Sequence, residues 1–138
     1  MIAYIDSSVL LRIILDEDDS LKEIKNITLG ISSILLKIEC LRTLDRLRLE
    51  NCYTDEEFSR IRSLFFSSFK KLSIIPVTEP VIESACQAWG FPLKSLDSIH
   101  LASALLWRRS EKKQLLFCTH DRRLALAAQA SDLEVLGV

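Results

Sequence analysis

Four short segments of the sequence each place a carboxylate beside a predicted strand or in the first turns of a predicted helix. The carboxylates are Asp6, Glu39, Asp97 and Asp121. In a parallel sheet the loops that follow the strands lie along one edge, so acids that are far apart in sequence can meet there. Four carboxylates in one cleft would repel one another, by about 1 kcal/mol per pair at ~4 Å in bulk water. A hard cation such as Mg²⁺ or Mn²⁺ removes this repulsion and prefers oxygen ligands, so the pattern predicts a metal site.

The elements that would position these acids are short apolar strands alternating with helices. Apolar runs predict buried strands at residues 2–5, 29–31, 72–77, 114–118 and 133–136. Helical spacing of apolar residues predicts helices at residues 8–16, 16–27, 32–50, 54–69, 80–89, 95–106 and 122–130. Residues 1–138 are predicted to form one domain, an α/β/α three-layer sandwich with a mainly parallel central sheet.

Three of the acids also suit helix capping. Asp is a preferred N-cap residue, so Asp6, Asp97 and Asp121 could each accept hydrogen bonds from free amides at a helix start. Nearby serines could cap the first two helices instead, which would leave these aspartates free for a metal: Ser7, Ser8, Ser95 and Ser98. The helix predicted from about residue 32 would be capped by Ser32 or Ser33, and Thr54 with Glu57 forms a capping-box pattern.

Glu39 has two readings. It could pair with Arg42, three residues later, on a solvated helix face. Alternatively, residues 31–41 are apolar nearly all round, which predicts burial, and a buried glutamate needs a partner such as a metal.

Thr119 and the two histidines lie close to the acids in sequence. Thr119 ends a predicted strand, either as an ordinary β-branched residue or with its hydroxyl orienting a neighbouring carboxylate. His100 follows Asp97 by three residues, and His120 directly precedes Asp121. Both histidines are predicted to be structural residues rather than catalytic bases.

Charge and composition limit the possible functions. The 18 basic and 19 acidic residues exclude a protein that is held to nucleic acid by bulk charge. Any phosphate contact needs a local basic face, for which the candidates are Lys37, Arg42, Arg46, Arg48, Arg108, Arg109, Lys112, Lys113, Arg122 and Arg123. The four cysteines lack zinc-ligand spacing and are predicted to be reduced and buried. With no signal peptide or membrane span in the pattern, a cytoplasmic protein is expected.

The motifs as a set resemble those of PIN-domain ribonucleases. They are Tyr4-Ile5-Asp6-Ser7-Ser8, Glu39, Leu96-Asp97-Ser98-Ile99-His100 and Thr119-His120-Asp121-Arg122-Arg123. The resemblance covers essentially the whole chain, and the small size is similar to that of the VapC-like toxins of prokaryotic toxin–antitoxin pairs.

This resemblance implies a metal-dependent endonuclease acting on structured RNA such as transfer or ribosomal RNA. It assigns the metal cluster to Asp6, Glu39, Asp97 and Asp121, with Thr119 as the supporting hydroxyl. We expect Asp6 and Asp97 to bind Mg²⁺ or Mn²⁺ directly. The resemblance also implies a homodimer and a small antitoxin protein that blocks the site.

Other classes fit the sequence less well. The three glycines cannot build a phosphate-binding loop, and Ser8 stands where a haloacid-dehalogenase-like phosphatase needs a second aspartate. A phosphoacceptor receiver domain needs paired acids after the first strand, where only Asp6 is present. Two alternatives stay open: a catalytically silent PIN fold that binds RNA or protein, and a stand-alone RNA-processing nuclease.

Overall fold

Five parallel strands form the central sheet of the computed structural model, which describes residues 1–138. They are β1 (Ile2–Ile5), β2 (Leu29–Ser33), β3 (Ser73–Ile75), β4 (Leu116–Cys118) and β5 (Glu134–Leu136). Their order is β3-β2-β1-β4-β5, and every neighbouring pair is parallel. The chain builds outward from β1 to β3 and then crosses to β4 on the other side of β1. Ligand clefts of such sheets lie at this reversal, outside the carboxyl ends of the strands.

Six α-helices flank the sheet. They are α1 (Ser7–Ile14), α2 (Leu35–Leu49), α3 (Asp55–Phe69), α4 (Glu79–Ala85), α5 (Ser95–Glu111) and α6 (Arg122–Ala130), with a short 3-10 helix at Lys22–Asn26. Side chains alternate between the faces of a strand, so Ala3 and Ile5 pack with α1, α2 and α3, whereas Tyr4 packs with α5 and α6. The predicted three-layer sandwich is confirmed, and its sheet is entirely parallel.

Strand β2 extends further than the sequence predicted. Ser32 and Ser33 complete this strand instead of beginning the next helix. The Ser32 hydroxyl donates to the carbonyl oxygen of Ile5 at 2.6 Å, and the Ser33 Oγ accepts from the amide of Leu35 at 3.2 Å. The Ser32 side chain therefore bonds to the neighbouring strand and the Ser33 side chain to the first amide of α2, which starts at Leu35.

Other helix predictions differ mainly at their ends. The helix predicted for residues 80–89 ends at Ala85, and residues 16–27 contain only the short 3-10 helix. The capping box before α3 is confirmed, because Thr54 and Glu57 exchange side-chain to backbone hydrogen bonds. The two-residue capping-box pattern thus located the start of α3, whereas the carboxyl end of α4 was not located by its apolar spacing.

The amino-terminal half of α2 is more exposed than the sequence predicted. Ile34 is 41% exposed and Ile38 is 57% exposed, whereas Leu36 and Cys40 are fully buried. The prediction of burial all round is therefore wrong for the outer face, because nothing in the chain packs over it. We call Ile34 and Ile38, with the exposed Lys37 between them, the α2 strip.

The chain forms no disulfide bond. All four cysteines are free, but only Cys40 and Cys118 are buried, while Cys52 and Cys86 are exposed. None of the helices combines the length and the apolar character needed to cross a membrane.

Candidate active site

Asp6 follows β1 directly and lies where the strand order reverses. Its amide donates to the carbonyl oxygen of Cys118 at 3.0 Å, and the residue is only 4% exposed. Two hydroxyls donate to Oδ2 of this carboxylate, Ser8 at 2.6 Å and Thr119 at 2.9 Å. One carboxylate oxygen is therefore held by hydroxyls of β4 and α1, and the other, Oδ1, has no hydroxyl donor.

His100 joins Glu39 to the sheet. The ring is fully buried, with Nδ1 at 2.7 Å from the hydroxyl of Tyr4 and Nε2 at 2.5 Å from Oε1 of Glu39. Nε2 is also 3.9 Å from Oδ1 of Asp6. A carboxylate can only accept a hydrogen bond, so Nε2 carries a hydrogen. Glu39 thus finds its partner on α5, and Arg42 pairs with Asp45 instead.

The surroundings of His100 favour its charged form. Burial lowers the pKa of His100, but the hydrogen bond that the ring donates to Glu39 and the charge of Asp6 outweigh burial and raise the pKa. Burial and the charge of Asp6 raise the pKa of Tyr4 well above its ordinary value, so this hydroxyl keeps its proton. The Tyr4 oxygen also accepts from the amide of Ser33 at 3.1 Å, which fixes it beside the ring.

Asp97 lies in the first turn of α5, on the same helix face as His100. Burial and then the charges of Asp121 and Asp6 raise the pKa of Asp97, with a smaller contribution from Glu39. Burial alone disfavours the ionised carboxyl, and the neighbouring acids add to this effect more than His100 opposes it. The site therefore carries a local excess of negative charge.

Asp121 combines exposure to solvent with helix capping. Its Oδ1 accepts from the amide of Leu124 at 2.9 Å, so the capping prediction is confirmed for this residue. Neither Asp6 nor Asp97 caps its helix, and the predicted serine caps are also absent, since the first residues of α1 and α5 receive no side-chain hydrogen bond at the cap.

The arrangement of acids at the carboxyl ends of β1 and β4 can be compared with known families. The sequence profile of the PIN domain matches residues 3–130. The chain belongs to the PIN domain family. No protein of curated function matches it in sequence. PIN domains are generally metal-dependent nucleases, and this fold is therefore of a nuclease type.

The donor chemistry of this PIN domain suits a hard cation. The four carboxylates offer only oxygen ligands, and no lysine or arginine forms an ion pair with any of them. In this structure, however, no group of three His, Cys, Asp or Glu side chains is close enough together to bind one metal ion. His100 engages one oxygen of Glu39 and the amide of Leu124 engages one oxygen of Asp121, so ligation by all four acids would require side-chain movement rather than the loss of these contacts.

Sequence reasoning assigned too small a role to two groups of this PIN domain. Ser8 was considered only as a helix cap, yet it donates to Asp6. His100 was predicted to be structural, and it is buried, but it also holds Glu39 beside Asp6. The i+3 spacing from Asp97 was the available signal for His100. The Ser8 contact had no such signal, because it depends on the course of the chain after β1.

The basic residues of this PIN domain divide into paired and free groups. On α2, Arg42 pairs with Asp45 and Arg46 pairs with Glu50. Arg122 and Arg123, directly after Asp121, are exposed and form no ion pair. The free cations next to the acids are therefore these two at the start of α6.

Proposed function

We propose that the protein is a metal-dependent endoribonuclease that hydrolyses phosphodiester bonds in structured RNA such as transfer or ribosomal RNA. The observation that carries the proposal is the set of carboxylates at this edge of the sheet, of which Asp6 is held on one oxygen by two hydroxyls and none is paired with a lysine or arginine. A protein that only binds RNA gains nothing from such a cluster, because the cluster repels phosphate.

The proposed cation is Mg²⁺ or Mn²⁺, held directly by Asp6 and Asp97, with Glu39 and Asp121 acting through bound water. When bound, such an ion lowers the pKa of a water molecule and stabilises the leaving oxygen. Thr119 and Ser8 keep Oδ2 of Asp6 engaged, which leaves Oδ1 as the ligand atom. The expected products carry a 5′ phosphate and a 3′ hydroxyl.

The RNA backbone is expected to contact Arg122 and Arg123. These side chains are exposed, free of carboxylate partners and adjacent to Asp121. Since the whole chain has a net charge of −1, attraction to RNA has to come from such a local group. Their position beside the acids would bring the phosphodiester to Asp6 and Asp97.

We further propose that the protein is the toxin of a type II toxin–antitoxin pair, a homodimer that a small antitoxin protein inhibits. The α2 strip supports a partner surface, because Ile34 and Ile38 expose apolar area next to Glu39. Lys37 and the nearby Arg42 border this area, which favours a partner segment with apolar and acidic side chains.

Cleavage of RNA by the purified, partner-free protein tests the enzyme proposal. Total transfer and ribosomal RNA would be incubated with Mg²⁺ or Mn²⁺, with EDTA and with the variant Asp6→Asn. Discrete fragments that EDTA and the variant abolish are expected. Binding without cleavage in either metal would contradict the proposal and favour the silent RNA-binding module.

Expression in cells separates a toxin from a stand-alone RNA-processing nuclease. A toxin should arrest growth when it is expressed alone, and Asp6→Asn should not. Growth should return when a small open reading frame adjacent to the gene is co-expressed. Active nuclease that leaves growth unchanged would contradict the toxin assignment and leave the enzyme assignment intact.

A further inference from the structure

The end of the chain is bonded to the loop that follows β4. The amide of Thr119 donates to the carbonyl oxygen of Leu136 at 3.0 Å. One residue further, the carbonyl oxygen of Gly137 lies 2.5 Å from Nδ1 of His120. We call these two contacts the C-terminal clasp. Leu136 and Gly137 lie beyond residues 3–130, which the family profile matches, so one side of the clasp is outside that match.

Gly137 has to be a glycine for the clasp to close. Its φ is +108°, in the region that disfavours residues with a side chain. A Cβ at this position would overlap the carbonyl oxygen of Thr119. The absence of a side chain is thus what allows the end of the chain to pack directly on the loop.

The loop that the clasp holds also carries the hydrogen bonds to Asp6. The amide of His120 donates to the Ser8 Oγ at 3.0 Å, and the Ser8 hydroxyl donates to Asp6. The Thr119 Oγ accepts from the amide of Asp121 at 3.0 Å while its own hydrogen goes to Asp6. Both hydroxyls that orient Asp6 therefore depend on where residues 119–121 lie.

We propose that His120 is a positioning residue, which uses its ring to anchor this loop on Gly137 so that Ser8 and Thr119 hold Asp6 in its reactive orientation. A backbone carbonyl only accepts, so Nδ1 of His120 carries the hydrogen. Nε2 is buried without a hydrogen-bond partner. In this tautomer Nε2 carries a lone pair and no hydrogen, and the tautomer is fixed at Nδ1 without a protein donor to Nε2. The inference rests on the proposed function, since it concerns the orientation of a proposed metal ligand.

Three substitutions of His120 test this role. Asn keeps an N–H donor near the position of Nδ1, Gln moves the donor outward, and Leu removes it. With His120→Leu we expect kcat for RNA cleavage to fall by roughly tenfold to a hundredfold, as for other misplaced catalytic groups, with KM nearly unchanged. His120→Asn should restore most of this rate, and His120→Gln should not. Equal rates for Asn and Leu would overturn the proposal.

Gly137→Ala and Gly90→Ala form a matched pair. Both put a side chain on a residue with positive φ, but the new Cβ at Gly90 meets nothing within 4 Å. We expect Gly90→Ala to lower thermal stability and leave kcat unchanged, while Gly137→Ala lowers kcat as His120→Leu does. An equal loss of kcat in both, or in neither, would contradict the clasp.

Two measurements keep the inference testable if the protein does not cut RNA. NMR of the imidazole nitrogens should show hydrogen on Nδ1 of His120 and none on Nε2, as the contact of Nδ1 with the carbonyl oxygen of Gly137 requires. The amides of His120 and Asp121 should exchange slowly with solvent in the wild type and in His120→Asn, and faster in His120→Leu. The opposite tautomer, or unchanged exchange in His120→Leu, would overturn the clasp whatever the activity.

Discussion

Replacing Asp97 by asparagine should stabilise the protein in the absence of metal while it abolishes RNA cleavage. The change removes one negative charge and keeps the shape of the side chain. Burial and the charges of Asp121, Asp6 and Glu39 disfavour the ionised carboxyl, and His100 favours it, as the raised pKa of Asp97 reflects. The ionised carboxylate of Asp97 therefore destabilises the folded protein electrostatically, and the neutral amide of asparagine would not.

The size of the gain follows from the charges around Asp97. At ~7 Å, two unit charges interact by about 0.6 kcal/mol in bulk water and about 2.4 kcal/mol at an effective dielectric constant of ~20. Asp121 and Asp6 repel the carboxylate most, and the attraction of His100 exceeds the repulsion by Glu39, so at most two repulsive pairs remain. With the value for water, Asp97→Asn should gain up to about 1 kcal/mol, or roughly 3–5 °C in Tm for a chain of this length.

Thermal unfolding in EDTA at low ionic strength measures this gain. In about 1 M salt the Debye length shrinks to ~3 Å, so the difference between variant and wild type should shrink as well. Asp45→Asn is the matched control, because Asp45 pairs with Arg42 on the surface of α2. It should lose a few tenths of a kcal/mol, the opposite sign.

Added Mg²⁺ should reverse the order of stability. An ion present at ~100 times its dissociation constant stabilises the wild type by about 2.7 kcal/mol, and the variant, with one ligand fewer, should gain less. If Asp97→Asn is less stable than the wild type in EDTA at low salt, the reasoning about charge is refuted. If Mg²⁺ stabilises both proteins equally, Asp97 does not bind the ion.

Three further predictions concern the neighbours of Asp97. Because the pKa of His100 is raised in the folded protein, the stabilising contribution of this residue should be complete below about pH 6.5. The contribution should be lost as the pH rises through the folded pKa. The Tm of metal-free protein should fall over this range, and it should fall less in His100→Gln. Thr119→Val leaves the amide of Asp121 without its acceptor, so urea unfolding should show a loss of about 1–3 kcal/mol, and unchanged stability would argue against the bond. Replacing Arg122 and Arg123 by alanine should weaken RNA binding by Asp6→Asn protein. The slope of log affinity against log salt concentration should become shallower by about 0.7 per lost phosphate contact. Arg46→Ala removes a cation already paired with Glu50 and should leave this slope unchanged.

The layered fold was predictable because its signals are local. Apolar runs predicted the strands, and the Thr54–Glu57 pattern predicted the start of α3. Each of these features depends only on residues that are close together in sequence. The end of β2 was not predictable in this way. Ser32 and Ser33 suit a helix start by type, but the Ser32 hydroxyl and the Ser33 amide bond to Ile5 and Tyr4 of the neighbouring strand, which the local sequence does not reveal.

The meeting of Asp6 and Thr119 was predictable from the sequence, and the partner of Glu39 was not. Strand ends placed Asp6 and Thr119 at one edge of the sheet, and these two are hydrogen-bonded. Glu39 was expected to meet Arg42 or a metal, but it binds His100, which lies 61 residues further along the chain. A partner at that separation is fixed by how α2 and α5 pack against the sheet, so spacing within a helix cannot identify it.

Asp6 lies between two hydrogen-bond networks and belongs to only one of them. Hydroxyls of Ser8 and Thr119 hold its Oδ2, whereas His100, fixed by Tyr4 and Glu39, has its Nε2 3.9 Å from Oδ1. The first network consists of neutral donors, which orient the carboxylate without cancelling its charge. At 3.9 Å, the imidazole is too distant for a hydrogen bond to Oδ1. The carboxylate is thus rigid on one oxygen and available on the other, which is the condition that a pre-organised ligand for a cation has to meet.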